Sequence, residues 1–344
     1  MAGAENVSSS RVSRKGDGET ENVSVLRKLN LVFRFSYTLP FFMASVCGVI
    51  FAYMNADVPL YIAVLIPVTV MFMAVFVNFS NDYYDSISGA DDLRFQGWKE
   101  GKAEGIDTSP FLEKLYWDGN PVNNGMVTTK QAKLIMAVLV GIIVTLAVPI
   151  LLYGDLITVG MFGVFGLLIA FFYTAPPVNL GARGLGEVAV GVSFFLMVFA
   201  SYYVASDEVW NLEIFMFAII VGLAVGLMRT ADSMSGQDAH IQTGERSISV
   251  RVGLDNMHKV IKAMFVIIFV VVAMMLYFDI TYILLFLTLP LVIKAWKLLN
   301  AKPKYWEVYM APLTFGISVF TQFLFVIVMV IQIYFTYDLF GTLF

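Results

Sequence analysis

Charge is scarce in this chain. Of 344 residues only 14% are Asp, Glu, Lys or Arg, against 59% that are hydrophobic, where a soluble globular domain carries about a quarter charged residues. The shortage excludes an ordinary water-facing surface. Apolar runs continue from about residue 30 to the end and leave no room for a separate soluble core. Cysteine is nearly missing as well. Cys47 stands alone in an apolar run, which excludes a disulfide framework and a thiolate metal cluster and leaves packing as its role. With a net charge of −4, no nucleic-acid partner is expected.

What is present is hydrophobic length. A window of about 19 residues predicts nine spans, near 31–54, 60–82, 134–153, 156–174, 187–205, 212–229, 260–278, 280–297 and 310–336. The expected fold class is all-α, a polytopic membrane protein. Connections as short as Gly154-Asp155 and the turn at Asp279 predict antiparallel hairpins. Residues 1–28, rich in Ser, Glu and Gly and without aromatics, lack the apolar surface to order themselves and predict a disordered cytoplasmic tail. They carry no signal-peptide pattern, and residues 29–344 are expected to form one membrane domain.

Under this assignment all 22 Lys and Arg fall on one face. Cytoplasmic flanks carry such an excess, so a multi-pass cell-membrane protein is expected, with the N terminus cytoplasmic and the C terminus outside. The outer carboxylates Asp57, Asp155, Asp207, Glu208, Glu213, Asp279 and Asp338 read as solvated turn residues.

Against that background the stretch NFSNDYYDSISGADD, residues 78–92, is costly to keep near lipid. On a continuing helix Asn78, Asn81, Asp82 and Asp85 are three or four apart and share a face. Gly89 can break the helix, letting Asp91 and Asp92 fold back. Hard oxygen ligands in this pattern suit Mg²⁺ carrying a phosphate. A second polar stretch, MRTADSMSGQDAHIQTGERSISVRVG at 228–253, leaves the sixth span on the same face. Asp232 and Asp238 lie near its start, and Arg229, Arg246 and Arg251 flank them with guanidinium forks that match phosphate oxygens. Two acidic clusters with interleaved arginines suit a diphosphate held by bridging Mg²⁺. His240 is more simply a loop histidine than a ligand or base, and His258 an interfacial residue.

These residues carry a resemblance. NxxNDYYDxxxGxD at 78–91, GNPVNNGMVTTKQA at 119–132, YTAPPVNLGARGLGE at 173–187 and GERSISVRVG at 244–253 resemble the UbiA superfamily of intramembrane prenyltransferases. The spacing after NDYYD, with RGLGE, is most similar to its menaquinone branch, the 1,4-dihydroxy-2-naphthoate polyprenyltransferases. The resemblance spans about residues 30–335. It implies nine helices around a central cavity under a cytoplasmic cap, Mg²⁺ as cofactor, a polyprenyl diphosphate donor and an aromatic acceptor, among membrane lipids. Asn81, Asp82, Asp85 and Asp91 match the first motif. The second departs from the family, which places aspartates where Gly236 and His240 stand here. Either the loop is rearranged so that Asp232 and Asp238 take over ligation, or metal binding there is altered. The arginines and RSISVRVG favour the first.

The implied site therefore comprises Asp82, Asp85, Asp91, Asp232 and Asp238 on the metal, Asp82 and Asp85 being catalytic as well, with Asn78, Asn81 and Arg229 on the diphosphate and Arg183 and Arg246 on the diphosphate or an acceptor carboxylate. Tyr83, Tyr84 and Tyr173 are the aromatic faces placed to stabilise an allylic cation. The loop 92–128 is long, and SPFLEKLYWDGN within it reads as an amphipathic cap helix. Competing readings are a glycerol phosphate ether-lipid acceptor for the same chemistry and, in another class, an ion-coupled transporter. Against the latter, the acids sit at span ends and no inverted repeat is visible.

Overall fold

The computed structural model describes residues 29–30, 32–88, 120–122, 125–207, 209–303 and 306–341. The tail 1–28, Gly89, Asp91, Asp92, Glu208 and most of the 92–128 loop, with its expected cap helix, lie outside the described residues.

The chain folds as α1 Phe35–Asn55, α2 Leu60–Ser88, α3 Thr129–Tyr153, α4 Leu156–Phe172, α5 Gly186–Ala205 and α6 Leu212–Ser235. The short α7 Gln237–Thr243 and α8 Ile248–Val252 follow, then α9 Leu254–Met275, a 3₁₀ segment Ile280–Thr288 running into α10 Leu289–Ala301, and α11 Trp306–Gly341. No strand occurs among the described residues. Helix starts obey local chemistry. Thr128 and Gln131 form a reciprocal capping box on α3, with Thr128 N–H donating to Gln131 Oε1 at 2.9 Å. Asp155 accepts from Thr158 N at 2.7 Å, and Asp279 accepts from Thr281 N at 2.7 Å. The two shortest turns expected from the sequence are thus each closed by an aspartate.

Among the described residues eight helices are long and apolar enough to cross a membrane, from Tyr37–Asn55 to Trp306–Phe335, and the protein is a multi-pass membrane protein. The expected fourth span is the 17-residue α4, about 26 Å long at 1.5 Å per residue and so short of a hydrocarbon core of about 30 Å. The second and sixth spans overrun their expected ends, α2 to Ser88 and α6 to Ser235, because the polar motifs continue the helices instead of ending them.

α6 lies at the centre, packed on α5, α9 and α11, while α1 packs on α5, α2 and α11. Cys47 is fully buried in this core. Glu213 is not simply solvated, since it accepts a hydrogen bond of 2.5 Å from the buried Tyr282 hydroxyl.

Candidate active site

A cavity of about 1430 Å³ runs between α2, α3 and α4 on one side and α5 and α6 on the other. It follows α2 from Ile66 to Ile87, about 31 Å at 1.5 Å per residue. Small-ligand pockets hold about 300–1,000 Å³, so this one suits something longer. Its polar wall gathers at the C-terminal ends of α2 and α6, where Asn78, Asn81, Asp85, Arg229 and Asp232 all line it. Arg34, His240, Gln242, Thr243 and Glu245 line it too, and most of the remaining lining side chains are aliphatic or aromatic.

The helices position this wall as the spacing predicts. Asn81 Nδ2 donates to Asp85 Oδ2 at 2.7 Å along one face of α2. Asn78 Nδ2 is buried with no hydrogen-bond partner among the described residues, a donor facing a polar ligand position. On α6, Arg229 is ion-paired with Asp232, and its Nε donates to the Tyr173 hydroxyl at 2.7 Å. Tyr173 and Tyr84 both line the cavity, Tyr84 edge-on to Phe171 at 6.1 Å.

The motif around Tyr173 explains its own glycines. The chain folds back after the helix, with Gly181 N–H donating to Tyr173 O at 2.9 Å. A Cβ on Gly186 would lie 3.3 Å from the Tyr173 hydroxyl oxygen. Gly184 has φ +76°, and a Cβ there would fall 2.0 Å from Arg246 O, so only glycine fits. This packing seats the 244–253 segment. Arg246 N–H donates to Ala182 O at 2.8 Å, Ile248 N–H to Glu187 Oε1 at 3.1 Å, and Arg251 Nη2 to Arg183 O at 2.6 Å. In the same manner Asn120 of the GNPVNNG stretch is buried and donates from Nδ2 to the Asp82 carbonyl at 2.5 Å.

Other expected site residues stand elsewhere. Asp82 is buried and does not line the cavity; its Oδ1 lies 2.9 Å from Arg34 Nη2. Tyr83 packs with Phe79, Val127 and Ala132 between α2 and α3, away from the cavity. Arg183 and Arg246 are exposed and off the lining, with Arg183 Nη2 donating to Pro177 O at 2.9 Å. Asp238 is exposed and off the lining as well. His240, read as a loop histidine, is buried and lines the cavity, with Nδ1 2.5 Å from Glu245 Oε2. Asp91 lies outside the described residues. Sequence reasoning missed Arg34, Asn120, Glu187 and Glu245. A lone arginine at the mouth of the first apolar run was the available signal for Arg34, though it counted only as one more basic flank.

Among the described residues no three His, Cys, Asp or Glu side chains come together as a ready metal cage. The donors that share the cavity, Asn81 and Asp85 from α2 and Asp232 from α6, are hard oxygen ligands, two of them carboxylates. That fits Mg²⁺, which is commonly held by one or two carboxylates plus substrate phosphates.

Fold and cavity together define an intramembrane helical enzyme with a polar head and a long apolar chamber. Residues 39–317 match the UbiA prenyltransferase family, and the chain belongs to it: it is a prenyltransferase. It is 22% identical over 248 residues to a 1,4-dihydroxy-2-naphthoate octaprenyltransferase of Bacillus subtilis (strain 168), covering 70% of this chain and 71% of the relative. It is 24% identical over 193 residues to an enzyme of the same description from Haemophilus influenzae, covering 56% and 58%. In fold it is similar to a UbiA homolog from Archaeoglobus fulgidus bound to GPP and Mg²⁺, with a TM-score of 0.61 at 15% identity over 88% of this chain and 99% of that one.

Proposed function

We propose that the protein catalyses Mg²⁺-dependent transfer of a polyprenyl group from its diphosphate to an aromatic acceptor of the 1,4-dihydroxy-2-naphthoate kind, in the biosynthesis of menaquinone or a related redox lipid. The observation that carries this is that Asn81 and Asp85 of α2 and Arg229 and Asp232 of α6 line one cavity which continues as a long apolar chamber. Both curated relatives bear the naphthoate description, which favours an aromatic acceptor.

In this reading Asp85 and Asp232, aided by Asn81, would hold the metal, which when bound supplies positive charge matching the charge that develops on the departing diphosphate oxygen. Arg229, kept in place by Tyr173 and Asp232, turns its remaining N–H donors to the diphosphate. The donor's C1–O bond breaks, diphosphate leaves with the electron pair, and the rings of Tyr84 and Tyr173 face the allylic cation. A ring carbon of the acceptor forms the new bond to C1 and gives up its proton. The apolar walls keep water from that cation. The one-sided distribution of 22 Lys and Arg supports a cytoplasmic mouth, with the N terminus inside and the C terminus outside.

The test is to incubate purified protein with Mg²⁺, a series of prenyl diphosphates and a panel of aromatic and glycerol phosphate acceptors, and to identify products by mass. Prenylated dihydroxynaphthoate-type product is expected, and Asp85→Asn or Asp232→Asn should each reduce diphosphate release by about 10²-fold or more. Product only on glycerol phosphate would replace the acceptor; no diphosphate release with any donor would refute the reading.

A further inference from the structure

The diphosphate needs cations within the cavity, and two of the arginines expected to supply them, Arg183 and Arg246, are exposed and off its lining. Among the described residues, the arginines that line it are Arg229 and Arg34. Arg34 directly precedes α1 and Arg229 lies in the last two turns of α6, one from the first span and one from the sixth. Its partner Asp82 has a side chain only 3% exposed, and the 2.9 Å contact places Arg34 within reach of the turn of α2 that carries Asp85. Asp82 and Asp85 are three residues apart, about 4.5 Å along the helix.

We propose that Arg34 is a diphosphate-binding residue of this enzyme, and that Asp82 is the positioning residue that holds its guanidinium at the cavity and is not itself a metal ligand. The inference rests on the transferase reading. A guanidinium carries five N–H donors in a rigid fork. The contact to Asp82 uses Nη2, so the group can be held from behind and still present N–H groups to phosphate oxygens. The backbone supports the assignment. Arg34 has φ 48° and ψ 45°, a left-handed conformation uncommon for a residue with a Cβ. It is fixed there by Arg34 N–H donating to Asn30 O at 2.8 Å and Tyr37 N–H donating to Arg34 O at 2.8 Å. The Tyr37 ring lies 5.7 Å from the guanidinium carbon. Such a residue, anchored on backbone, ring and buried carboxylate and facing a polar cavity, is pre-organised to bind an anion.

The assignment separates Asp82 from Asp85, which the sequence places in one motif. Asp85 would act on the metal and Asp82 through Arg34. Full-length protein in nanodiscs is titrated with inorganic pyrophosphate in the presence of Mg²⁺ by calorimetry, and Mg²⁺ activation of prenyl transfer is measured at saturating donor. Arg34→Gln should weaken pyrophosphate binding about 10- to 100-fold, Asp82→Asn should weaken it in the same direction, and the double variant should be no worse than Arg34→Gln alone. The Mg²⁺ concentration for half activation should stay put in both single variants and rise in Asp85→Asn. Because Arg34→Gln strands a buried carboxylate, the double variant and Arg34→Lys, which keeps the charge but loses the fork, serve as variants that fold; Arg34→Lys should also bind pyrophosphate more weakly. Unchanged pyrophosphate affinity in Arg34→Lys and the double variant, or a Mg²⁺ shift in Asp82→Asn equal to that of Asp85→Asn, overturns the proposal while leaving the transferase reading intact. Wild-type protein that neither binds pyrophosphate nor releases it from a prenyl donor removes both.

Discussion

The α5–α6 pair and the α3–α4 pair are written in the same alphabet, apolar residues interrupted by glycines, yet the two pairs are built for opposite purposes. In the most apolar window of α6, 67% of residues are buried within the protein, against 17% for α3. At α5–α6 the glycines bring backbones together: a Cβ on Gly222 would lie 2.7 Å from Gly191 O. On the α3–α4 side, Cβ atoms at Gly141, Gly160 and Gly163 would meet nothing within 4 Å. Helices in lipid gain little from hydrophobic association and depend on close packing through small residues. The first pair follows that rule, and the second leaves room that becomes the wall of the cavity, where Gly160, Gly163 and Gly166 all line it.

The sharpest way to break this contrast is to fill a tight glycine. Gly48 of α1 faces α5, and a Cβ there would sit 2.2 Å from Val198 O. Gly48→Ala must push α1 off α5 and should cost about 3 kcal/mol or more, read as a large drop in unfolding temperature in detergent or as loss of folded protein. The same substitution at Gly160 should leave stability within about 0.5 kcal/mol.

Next in size comes Gly184→Ala. With φ at +76° and Arg246 O where the methyl would go, the change should unseat the 244–253 segment from the turn after Tyr173. Misplacement on the order of 1 Å costs catalysis about 10²-fold, so kcat/KM should fall far more than the unfolding temperature. Equal losses in the two measurements would mean that the segment serves the fold and not the site.

This contrast marks what could be read from the sequence. Span positions were legible because hydropathy depends on composition alone, and the α2 face of Asn78, Asn81 and Asp85 because helical spacing is fixed. Which glycine touches a backbone and which faces a void depends on a partner helix far along the chain. For the same reason Asp82 and Asp85 looked alike, although one meets Arg34 from a different span and the other the cavity. His240 and Asp238 show the same limit within one short helix, since a two-residue offset puts one against the cavity and the other into solvent.

A smaller effect on the fold, but an informative one on function, is expected from Gly163→Leu. The side chain would enter open space along the chamber and cost stability no more than about 0.5 kcal/mol. Given the proposed transfer, it should shift donor preference towards shorter prenyl diphosphates, read as the chain-length distribution of products from a mixed donor pool. An unchanged distribution would place the prenyl tail elsewhere than along α4.

The smallest effect tests how a loosely packed hairpin keeps its shape. The α3–α4 turn is fastened by the Tyr153 hydroxyl donating to Ala205 O at 3.2 Å and by Asp155 capping α4 at Thr158 N. That backbone hydrogen bond, with a further contact from the Thr158 side chain, holds the Asp155 carboxyl below its ordinary pKa. A carboxylate whose folded pKa is depressed stabilises above its unfolded pKa, and the contribution is lost as pH falls through the folded value. The first-turn amides of α4 should therefore exchange faster with solvent as pH drops below the usual carboxylate range, once corrected for intrinsic exchange. In Asp155→Ala they should exchange fast at every pH, whereas in Asp155→Asn, which keeps a capping oxygen, the pH dependence should vanish and most of the protection remain. The α5–α6 pair, held by backbone contact over its length, should show no such response. Equal acid sensitivity in both pairs would mean that packing, not the cap, governs the α3–α4 turn.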